Sequence, residues 1–256
     1  MTSMKKKYPT LINAPINEAV LDIRTQLPKD ITLKDLVPFY EGVKTRFPNK
    51  RERVSFQGGF QLVDGKPVTM SPSGGPDGYL FESLSEKKIV QVRLDGFTFN
   101  KLKPYENWKN FHTEARELWD LYRTIANPEK IIRLALRYIN RIEIPLPIKD
   151  FKDYILTVPE IAPALPQGLS HYFMRLLIPN EKIKATATVT ETMEMMNSGQ
   201  TLALIFDIDV WKEADYLPDL TNHWRDFQKL RNFKNQIFFE SITDKTKELL
   251  DGIRRT

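Results

Sequence analysis

The chain has 256 residues, of which 41% are hydrophobic and 28% are charged. This length allows a substantial core, as one large domain or as two halves that share a sheet. The absence of cysteine excludes disulfides and thiolate metal sites and is typical of a reducing cytoplasm. No segment approaches the roughly 20 apolar residues of a membrane helix, and the basic N-terminus continues without the apolar run of a signal peptide. The sequence therefore predicts a soluble cytoplasmic protein.

The formal net charge of +5 comes from the two ends of the chain. Five of the 38 Lys and Arg residues are terminal, and the remaining 33 equal the number of Asp and Glu residues. These five are Lys5, Lys6, Lys7, Arg254 and Arg255. A basic surface on the folded body would therefore have to come from the arrangement of its charges, because the body has no excess of basic residues. Solvated tails are the simpler explanation of the terminal charges.

The first predicted elements are a strand and a helix. Residues 13–28 alternate as a strand does, with Asp22 and Arg24 on the polar face. Residues 32–47 follow with the spacing of an amphipathic helix. Pro38 lies one turn inside that helix, so we expect the helix to be kinked or to begin late.

Residues 51–99 show strand patterns, and a long helix follows them. The most turn-prone stretch of the chain, residues 71–78, lies between two of these strands. A phosphate-binding loop would precede a helix, whereas a strand follows here, so the pattern favours a surface loop. Residues 104–126 predict a helix with a single apolar stripe, which we interpret as part of the core.

The cleanest alternation in the chain lies in residues 131–147, IIRLALRYINRIEIPLP. One face of this predicted strand is apolar and consists of Ile132, Leu134, Leu136, Tyr138, Ile142 and Ile144. The opposite face carries Arg133, Ala135, Arg137, Ile139, Arg141 and Glu143. The pattern predicts a central strand with an apolar face backed by a row of arginines.

After this strand the chain repeats the earlier order of elements. The predicted elements are a short helix at 151–161, strands at 172–179, 182–191 and 201–211, a long helix at 218–240 and a final amphipathic helical segment from residue 244. Each half of the chain thus has a strand, a helix, two or three strands and a long helix. This order indicates an internal duplication with a period of about 120 residues.

The element order predicts an α+β fold made of two β-α-β-β-β-α-like halves, residues 1–128 and 129–256. We expect the halves to form one structural unit, a curved antiparallel sheet packed against two long helices. The order of elements is similar to that of the TATA-binding protein. Because a fold does not determine a function, this similarity implies nothing about binding.

Common catalytic and cofactor signatures are missing from the sequence. His112, His171 and His223 are the three histidines, and none lies at ligand spacing from another, which argues against zinc. Nucleophile elbows, Walker loops and dinucleotide glycine patterns are absent, so we expect no cofactor. Asp207 and Asp209 share one face of a predicted strand and are the candidates for a divalent metal site or for acid–base chemistry. Contact with solvent, or ion pairs with arginines of a neighbouring strand, explains them equally well.

The arginine row is the sharper candidate site. Its three arginines recur every four residues, about 13 Å apart along the strand. Together with similarly placed residues, the candidate binding residues are Arg24, Arg93, Arg133, Arg137, Asn140 and Arg141. Guanidinium groups bind carboxylates and phosphates through bidentate contacts, so this face is a candidate for an anionic ligand, a partner or a nucleic-acid backbone. The alternative is an ion-pair lattice with Asp22, Asp95, Asp207 and Asp209, which fits the neutral charge of the body.

Three blocks of the sequence, APINEAVLDIR, LALRYINRIEIP and FKNQIFFESITDK, resemble signatures of a family of sporadically distributed, uncharacterised bacterial proteins of about this length. The resemblance spans nearly the whole chain. It implies no activity, cofactor or catalytic residue. The patchy distribution of the family suggests mobile genetic islands, where defence and toxin–antitoxin genes gather.

From these patterns we expect a non-catalytic binding or interaction protein whose arginine-bearing sheet face engages an anionic ligand or a protein partner. One alternative is a nucleic-acid-binding protein of a mobile-element, defence or toxin–antitoxin locus. Another is an enzyme of unfamiliar type that uses Asp207 and Asp209 with a divalent metal. The sequence indicates neither the identity of the partner nor the oligomeric state.

Overall fold

The structure is a computed structural model and describes residues 8–9, 11–54, 62–63, 66–67, 75–195 and 200–251. The basic residues of both termini and the first half of the predicted loop, residues 71–74, lie outside these ranges. The strands of the described part are β1 (Ile16–Gln26), β2 (Asn49–Arg53), β3 (Leu62–Val63), β4 (Lys66–Pro67), β5 (Gly78–Ser83), β6 (Lys88–Arg93), β7 (Gly96–Leu102), β8 (Lys130–Pro145), β9 (Phe173–Asn180), β10 (Ala185–Met195) and β11 (Thr201–Tyr216). Its α-helices are α1 (Pro38–Val43), α2 (Trp108–Ala126), α3 (Asn222–Ser241) and α4 (Asp244–Asp251).

Nine of these strands form one antiparallel sheet in the order β2-β5-β6-β7-β1-β8-β11-β10-β9, and β3 pairs with β4 separately. The central strands β1 and β8 pair with each other. Outward from β1 the sheet continues with β7, β6 and β5, and outward from β8 it continues with β11, β10 and β9. The observed combination of a large antiparallel sheet with helices confirms the predicted α+β class.

The long helices α2 and α3 cover one face of the sheet. α2 contacts β7, and α3 contacts β8 and β11. The side chains beneath them are fully buried, among them Leu21, Phe97, Leu136 and Ile208. Because neighbouring side chains of a strand point to opposite faces, the residues between these point away from α2 and α3. We call that opposite side the polar face, and its central residues are Asp22, Arg133, Arg137, Asp207 and Asp209.

The central strand β8 confirms the predicted alternation over most of its length. The prediction was wrong at Ile132, which is 41% exposed, whereas Ile131 is fully buried. The pairing of β8 with β1 shifts register between Arg24 and Thr25. Such an irregularity inserts an extra residue and exchanges the two faces locally, which explains the changed phase at the start of β8.

The first helical segment begins late, as Pro38 predicts. A 3-10 turn, Leu33–Leu36, precedes α1, and Pro38 occupies the first position of α1, where a missing N–H costs little. Thr32 donates from its backbone N–H and its hydroxyl to the Asp35 carboxylate at 2.8 and 2.7 Å. These bonds fix the start of the 3-10 turn before the chain enters α1.

Two other predicted helices are shorter in the structure. The helix predicted from residue 104 begins at Trp108, after Asn107 accepts a hydrogen bond from the backbone N–H of Asn110 at 2.8 Å. The helix predicted at 151–161 is a single 3-10 turn, Phe151–Asp153. Among the described residues, no helix is both long enough and apolar enough to cross a membrane.

Candidate functional site

The structure brings five of the six candidate binding residues together on the polar face. They are Arg24 on β1, Arg93 on β6, and Arg133, Arg137 and Arg141 on β8. Asn140 is buried on the opposite side, where its Nδ2 donates to the Phe206 carbonyl oxygen at 2.9 Å. The row predicted from the sequence therefore exists on the polar face, but without Asn140.

Arg93 and Asp22 form the buried centre of the polar face. Arg93 is only 2% exposed, and its Nη2 donates to Asp22 Oδ1 at 2.9 Å. Its Nε donates to Asp95 Oδ1 at 2.8 Å, and the Thr98 hydroxyl donates to Asp22 at 2.6 Å. Burial raises the pKa of Asp22, but Arg93 and Thr98 lower it more, so this pKa lies below its ordinary value. The carboxylate is thus held ionised by the guanidinium of a neighbouring strand.

Arg133 and Arg137 contact the carboxylates of β11. Arg137 binds Asp207 in a bidentate manner, with Nε 2.9 Å from Oδ1 and Nη2 2.6 Å from Oδ2. Arg133 Nη2 lies 3.9 Å from Asp209 Oδ2, and the guanidinium lies 5.4 Å from the centroid of a Trp211 ring. Burial raises the pKa of Asp209, and the two arginines offset only part of that rise. The two carboxylates considered for a metal site are therefore partners of arginines.

The remaining candidate arginines are also paired. Arg141 Nη1 lies 2.8 Å from Glu194 Oε2, and Arg24 contacts both Asp95 and Asp22, the latter at 3.3 Å. Every arginine of the predicted row thus has a carboxylate partner. The structure agrees with the ion-pair lattice that the sequence left open, and the row does not present unpaired guanidinium groups.

The histidines occupy separate places in the fold. His112 and His223 pack against Trp224, with ring centroids 5.1 and 4.8 Å away, and burial lowers the pKa of His223 to about 4. His171 Nδ1 lies 3.1 Å from the Met193 carbonyl oxygen. Within the described ranges, no three His, Asp or Glu side chains form a group that could hold a metal ion.

A second site lies between the sheet and α3. It is a cavity of about 710 Å³ bounded by β8, α3, the end of α4, the segment before β1 and the loop before α2. Its volume falls within the roughly 300–1,000 Å³ typical of sites for small organic ligands. We call it the α3 cavity, and the lining residues that matter below are Tyr105, Tyr138, Asn140, Arg231, Lys234 and Phe238.

Lys234 is the unusual residue of the α3 cavity. It is 9% exposed, and its Nζ lies 3.8 Å from the centroid of the Tyr138 ring. In the part of the chain that the structure describes, no hydrogen bond or ion pair joins Lys234 to a carboxylate. Burial and, to a smaller extent, the charge of Arg231 lower the pKa of Lys234 to about 7. A buried cation without a counter-ion is costly, so this wall of the cavity favours a negative group.

Other hydrogen-bond donors lie around Lys234. Arg231 is half-buried, with its guanidinium 5.4 Å from the centroid of a Trp108 ring. The hydroxyl oxygens of Tyr105 and Tyr138 are 2.8 Å apart. Burial raises the pKa of Tyr105 to about 12 and that of Tyr138 well above its ordinary value. Both hydroxyls therefore stay protonated at neutral pH. One proton forms the bond between them, and the other is left to donate to a ligand.

Two acidic residues also line the α3 cavity, but each has a partner of its own. Glu143 Oε1 lies 3.9 Å from Arg141 Nε. Glu106 Oε2 accepts a hydrogen bond from Asn110 Nδ2 at 2.8 Å. Neither carboxylate forms a salt bridge with Lys234, so the charge of the ammonium is left for a ligand to offset.

The sequence analysis did not identify Lys234 and Arg231 as site residues, although the sequence around Lys234 indicates that this lysine is buried. Leu230 and Phe238 lie one turn before and one turn after Lys234, and both are buried. A lysine at this position of an apolar stripe points into the protein and not into solvent. Arg231 carries no comparable signal, because its place beside the cavity depends on the packing of Trp108.

Glu191 is a buried carboxyl group of β10 that belongs to neither site. It is 1% exposed, its Oε2 accepts a long hydrogen bond from the Tyr172 hydroxyl at 3.5 Å, and its Oε1 has no partner among the described residues. Burial raises the pKa of Glu191 to about 7.

We expect Glu191→Gln to stabilise the protein by roughly 1–3 kcal/mol at pH 8.5 and to change little near pH 4.5, since one pKa unit corresponds to about 1.4 kcal/mol. The pKa of Glu191 is raised from 4.5, so the stability linked to its protonation is present below pH 4.5 and is lost as the pH rises through about 7. Urea unfolding of both proteins at several pH values measures this difference. A difference that is constant with pH would contradict the expectation.

Comparison with known proteins adds nothing to this geometry. No family model, curated protein or solved structure matches the chain. The choice between the polar face and the α3 cavity therefore depends on the contacts within the chain itself.

Proposed function

We propose that the protein binds a small acidic organic molecule in the α3 cavity and is a binding protein without catalytic activity. The observation that carries this proposal is Lys234, a buried ammonium at the wall of a ligand-sized cavity, without a carboxylate partner in the described ranges. Removing one partner of a buried ion pair destabilises a protein by several kcal/mol, because the other charge is left without compensation. A buried cation that has no partner to begin with destabilises the fold for the same reason. A bound carboxylate would offset this cost. We therefore propose that the anionic ligand, which the sequence suggested for the arginine row, binds in the α3 cavity instead.

The lining residues indicate the kind of acid that would bind. Arg231 and Lys234 lie three residues apart on α3, so their side chains are neighbours on the helix surface and can contact one anionic group. Phe238 and Leu250 supply apolar surface, and Asn140 and the tyrosine hydroxyls supply neutral polar groups. This combination favours a carboxylic acid with an apolar body over a highly charged phosphate compound.

The polar face is a weaker candidate for an anionic partner. A carboxylate or phosphate would have to displace Asp207 from Arg137 and Glu194 from Arg141. The new contacts would replace existing charge-assisted bonds, so little free energy would be gained. The same cost applies to a nucleic-acid backbone. We therefore give the arginine row a structural role, which is to hold the central strands together.

Thermal shift measurements with aliphatic and aromatic carboxylic acids test the proposal, with the corresponding primary amides as neutral controls. A ligand that binds only the native protein raises the unfolding midpoint. We expect an acid to raise it and its amide not to. The shift should disappear in Arg231→Gln and Lys234→Met and persist in Arg137→Gln. Equal shifts with acid and amide, or no shift with any acid, would overturn the proposal.

We also propose that the halves 1–128 and 129–256 are related by internal duplication, as the element order predicts. The supporting observation is the matching arrangement of strands on the two sides of the β1–β8 pair. Outward from its central strand, each half runs through three strands in reverse chain order, β7, β6 and β5 in the first half and β11, β10 and β9 in the second, and the first half adds β2 at its edge. In each half the last strand is followed by a long helix on the same sheet face. The order of the elements is similar to that in the TATA-binding protein. This is a similarity of architecture and implies no shared function.

A further inference from the structure

We propose that Lys234 captures a 2-oxo acid in the α3 cavity as a covalent imine. This inference rests on the proposed function, because the cavity must first bind the acid group of the same molecule. It goes further in naming the nucleophile, the bond that forms and the second functional group that the ligand carries.

The geometry places an amine and an anion-binding group next to each other at the cavity wall. Lys234 Nζ lies over the Tyr138 ring, 3.8 Å from its centroid, and has no carboxylate partner in the described chain. Arg231 precedes it by three residues on the same helix and lines the same cavity. Side chains at this spacing are neighbours, about 5–6 Å apart at their Cβ atoms. A 2-oxo acid has its carboxylate and its carbonyl on adjacent carbons, so Arg231 can hold the carboxylate while Nζ reaches the carbonyl carbon.

The buried position of Lys234 also supplies the reactive form of the amine. A protonated ammonium cannot attack a carbonyl, and lysines become nucleophiles when burial and a nearby cation lower their pKa. Burial and Arg231 act on Lys234 in this way and lower its pKa to about 7. A large fraction of the side chain is therefore neutral at physiological pH.

The reaction is balanced without an oxidant or a reductant. The Nζ lone pair forms a bond to the carbonyl carbon, and proton transfer from nitrogen to oxygen gives a carbinolamine. Loss of the hydroxyl group as water then gives the imine, so one amine and one carbonyl yield one imine and one water. The departing oxygen needs a proton donor, and the paired hydroxyls of Tyr105 and Tyr138 line the same cavity.

Borohydride trapping of the full-length protein tests the proposal. The probe is phenylpyruvate, a 2-oxo acid with an apolar body. The matched control is 3-phenylpropionate, which has the same carbon skeleton and carboxylate but lacks the 2-oxo group. Sodium borohydride reduces an imine to a stable secondary amine, which peptide mapping by mass spectrometry locates in the wild-type protein itself. We expect one adduct per chain, on Lys234, with phenylpyruvate only. The adduct should be lost in Lys234→Met and retained in Lys109→Met, which removes an exposed lysine of α2.

The possible outcomes separate this inference from the proposed function. Adducts spread over surface lysines, with none enriched at Lys234, would overturn the imine. If 3-phenylpropionate raises the unfolding midpoint while phenylpyruvate leaves no adduct on Lys234, the result supports the proposed acid binding and overturns the proposed imine. If neither compound raises the midpoint and no adduct forms, both are overturned. Circular dichroism of Lys234→Met shows whether loss of the adduct occurs in a folded protein.

Discussion

Replacing Arg93 by Met is expected to lower the free energy of unfolding by roughly 3–5 kcal/mol, the cost of removing one partner of a buried ion pair. The guanidinium of Arg93 is buried and bonds both Asp22 and Asp95. Without it, the carboxylate of Asp22 keeps the hydrogen bond from the Thr98 hydroxyl at 2.6 Å, but its remaining cationic partners are the more distant Arg24 and Arg133, at 3.3 and 3.4 Å. Urea unfolding, followed by fluorescence and circular dichroism, measures the loss.

Two further variants make this prediction specific. Arg137→Gln removes an arginine of the same face that is 45% exposed, and its cost should stay below about 1 kcal/mol. Adding Asp22→Asn to Arg93→Met removes the stranded charge as well, so stability should recover in part. If Arg93→Met costs no more than Arg137→Gln, the polar face is not held together by a buried ion pair.

Replacing Lys234 by Met is expected to raise the free energy of unfolding, in contrast to the loss in Arg93→Met. We expect a gain of roughly 2–4 kcal/mol at pH 6, since each unit of pKa shift corresponds to about 1.4 kcal/mol and lost packing offsets part of it. The pKa of Lys234 is lowered from 10.5 to about 7. The stability linked to the neutral amine is therefore present above pH 10.5 and is lost as the pH falls through about 7. Urea unfolding at pH 6 and at pH 10 should show a much larger gain at pH 6.

Lys109→Met is the matched control for this comparison, because Lys109 is exposed on α2. Its effect on the free energy of unfolding should be below about 0.5 kcal/mol at both pH values, as for other surface substitutions. A loss of stability in Lys234→Met at pH 6 would show that the ammonium has a counter-ion in the folded protein. That result would also remove the basis of the proposed anion site.

Much of the fold could be predicted because burial of one face is visible in local alternation. The period of two along β8 and the apolar stripe of α2 follow directly from which side chains meet the core. The same rule places Asn140 on the face of Tyr138 and Ile142, so the error in assigning it to the arginine row was avoidable. The error at Ile132 could not have been avoided, because the change of phase there depends on how β8 pairs with β1.

The sites required information that local patterns do not contain. Arg137 and Asp207 are 70 residues apart, and their contact depends on the register of β8 against β11. The charge balance of the chain indicated that arginines would be paired, but not which carboxylate each would meet. The α3 cavity is formed by five separate segments, so its existence follows only from tertiary packing. The position of Lys234 in an apolar stripe was the one local indication.

The two surfaces described above make different demands on the protein. On the polar face, which is opposite to α2 and α3, ion pairs between neighbouring strands neutralise half-buried charges that would otherwise lack a partner. The α3 cavity instead leaves the Lys234 ammonium without such compensation. Uncompensated groups of this kind are concentrated at functional sites, because a ligand can supply what the fold does not.

The most direct measurement is the dissociation constant of the best acid from the panel, determined by calorimetry for wild type, Arg231→Gln, Lys234→Met and Arg137→Gln. Loss of a hydrogen bond to a charged group costs roughly 1.5–3 kcal/mol, which corresponds to about tenfold or more in affinity. We predict such a loss in Arg231→Gln and Lys234→Met and unchanged affinity in Arg137→Gln. Weaker binding in Arg137→Gln together with wild-type affinity in Lys234→Met would place the anion on the polar face and contradict the assignment to the α3 cavity.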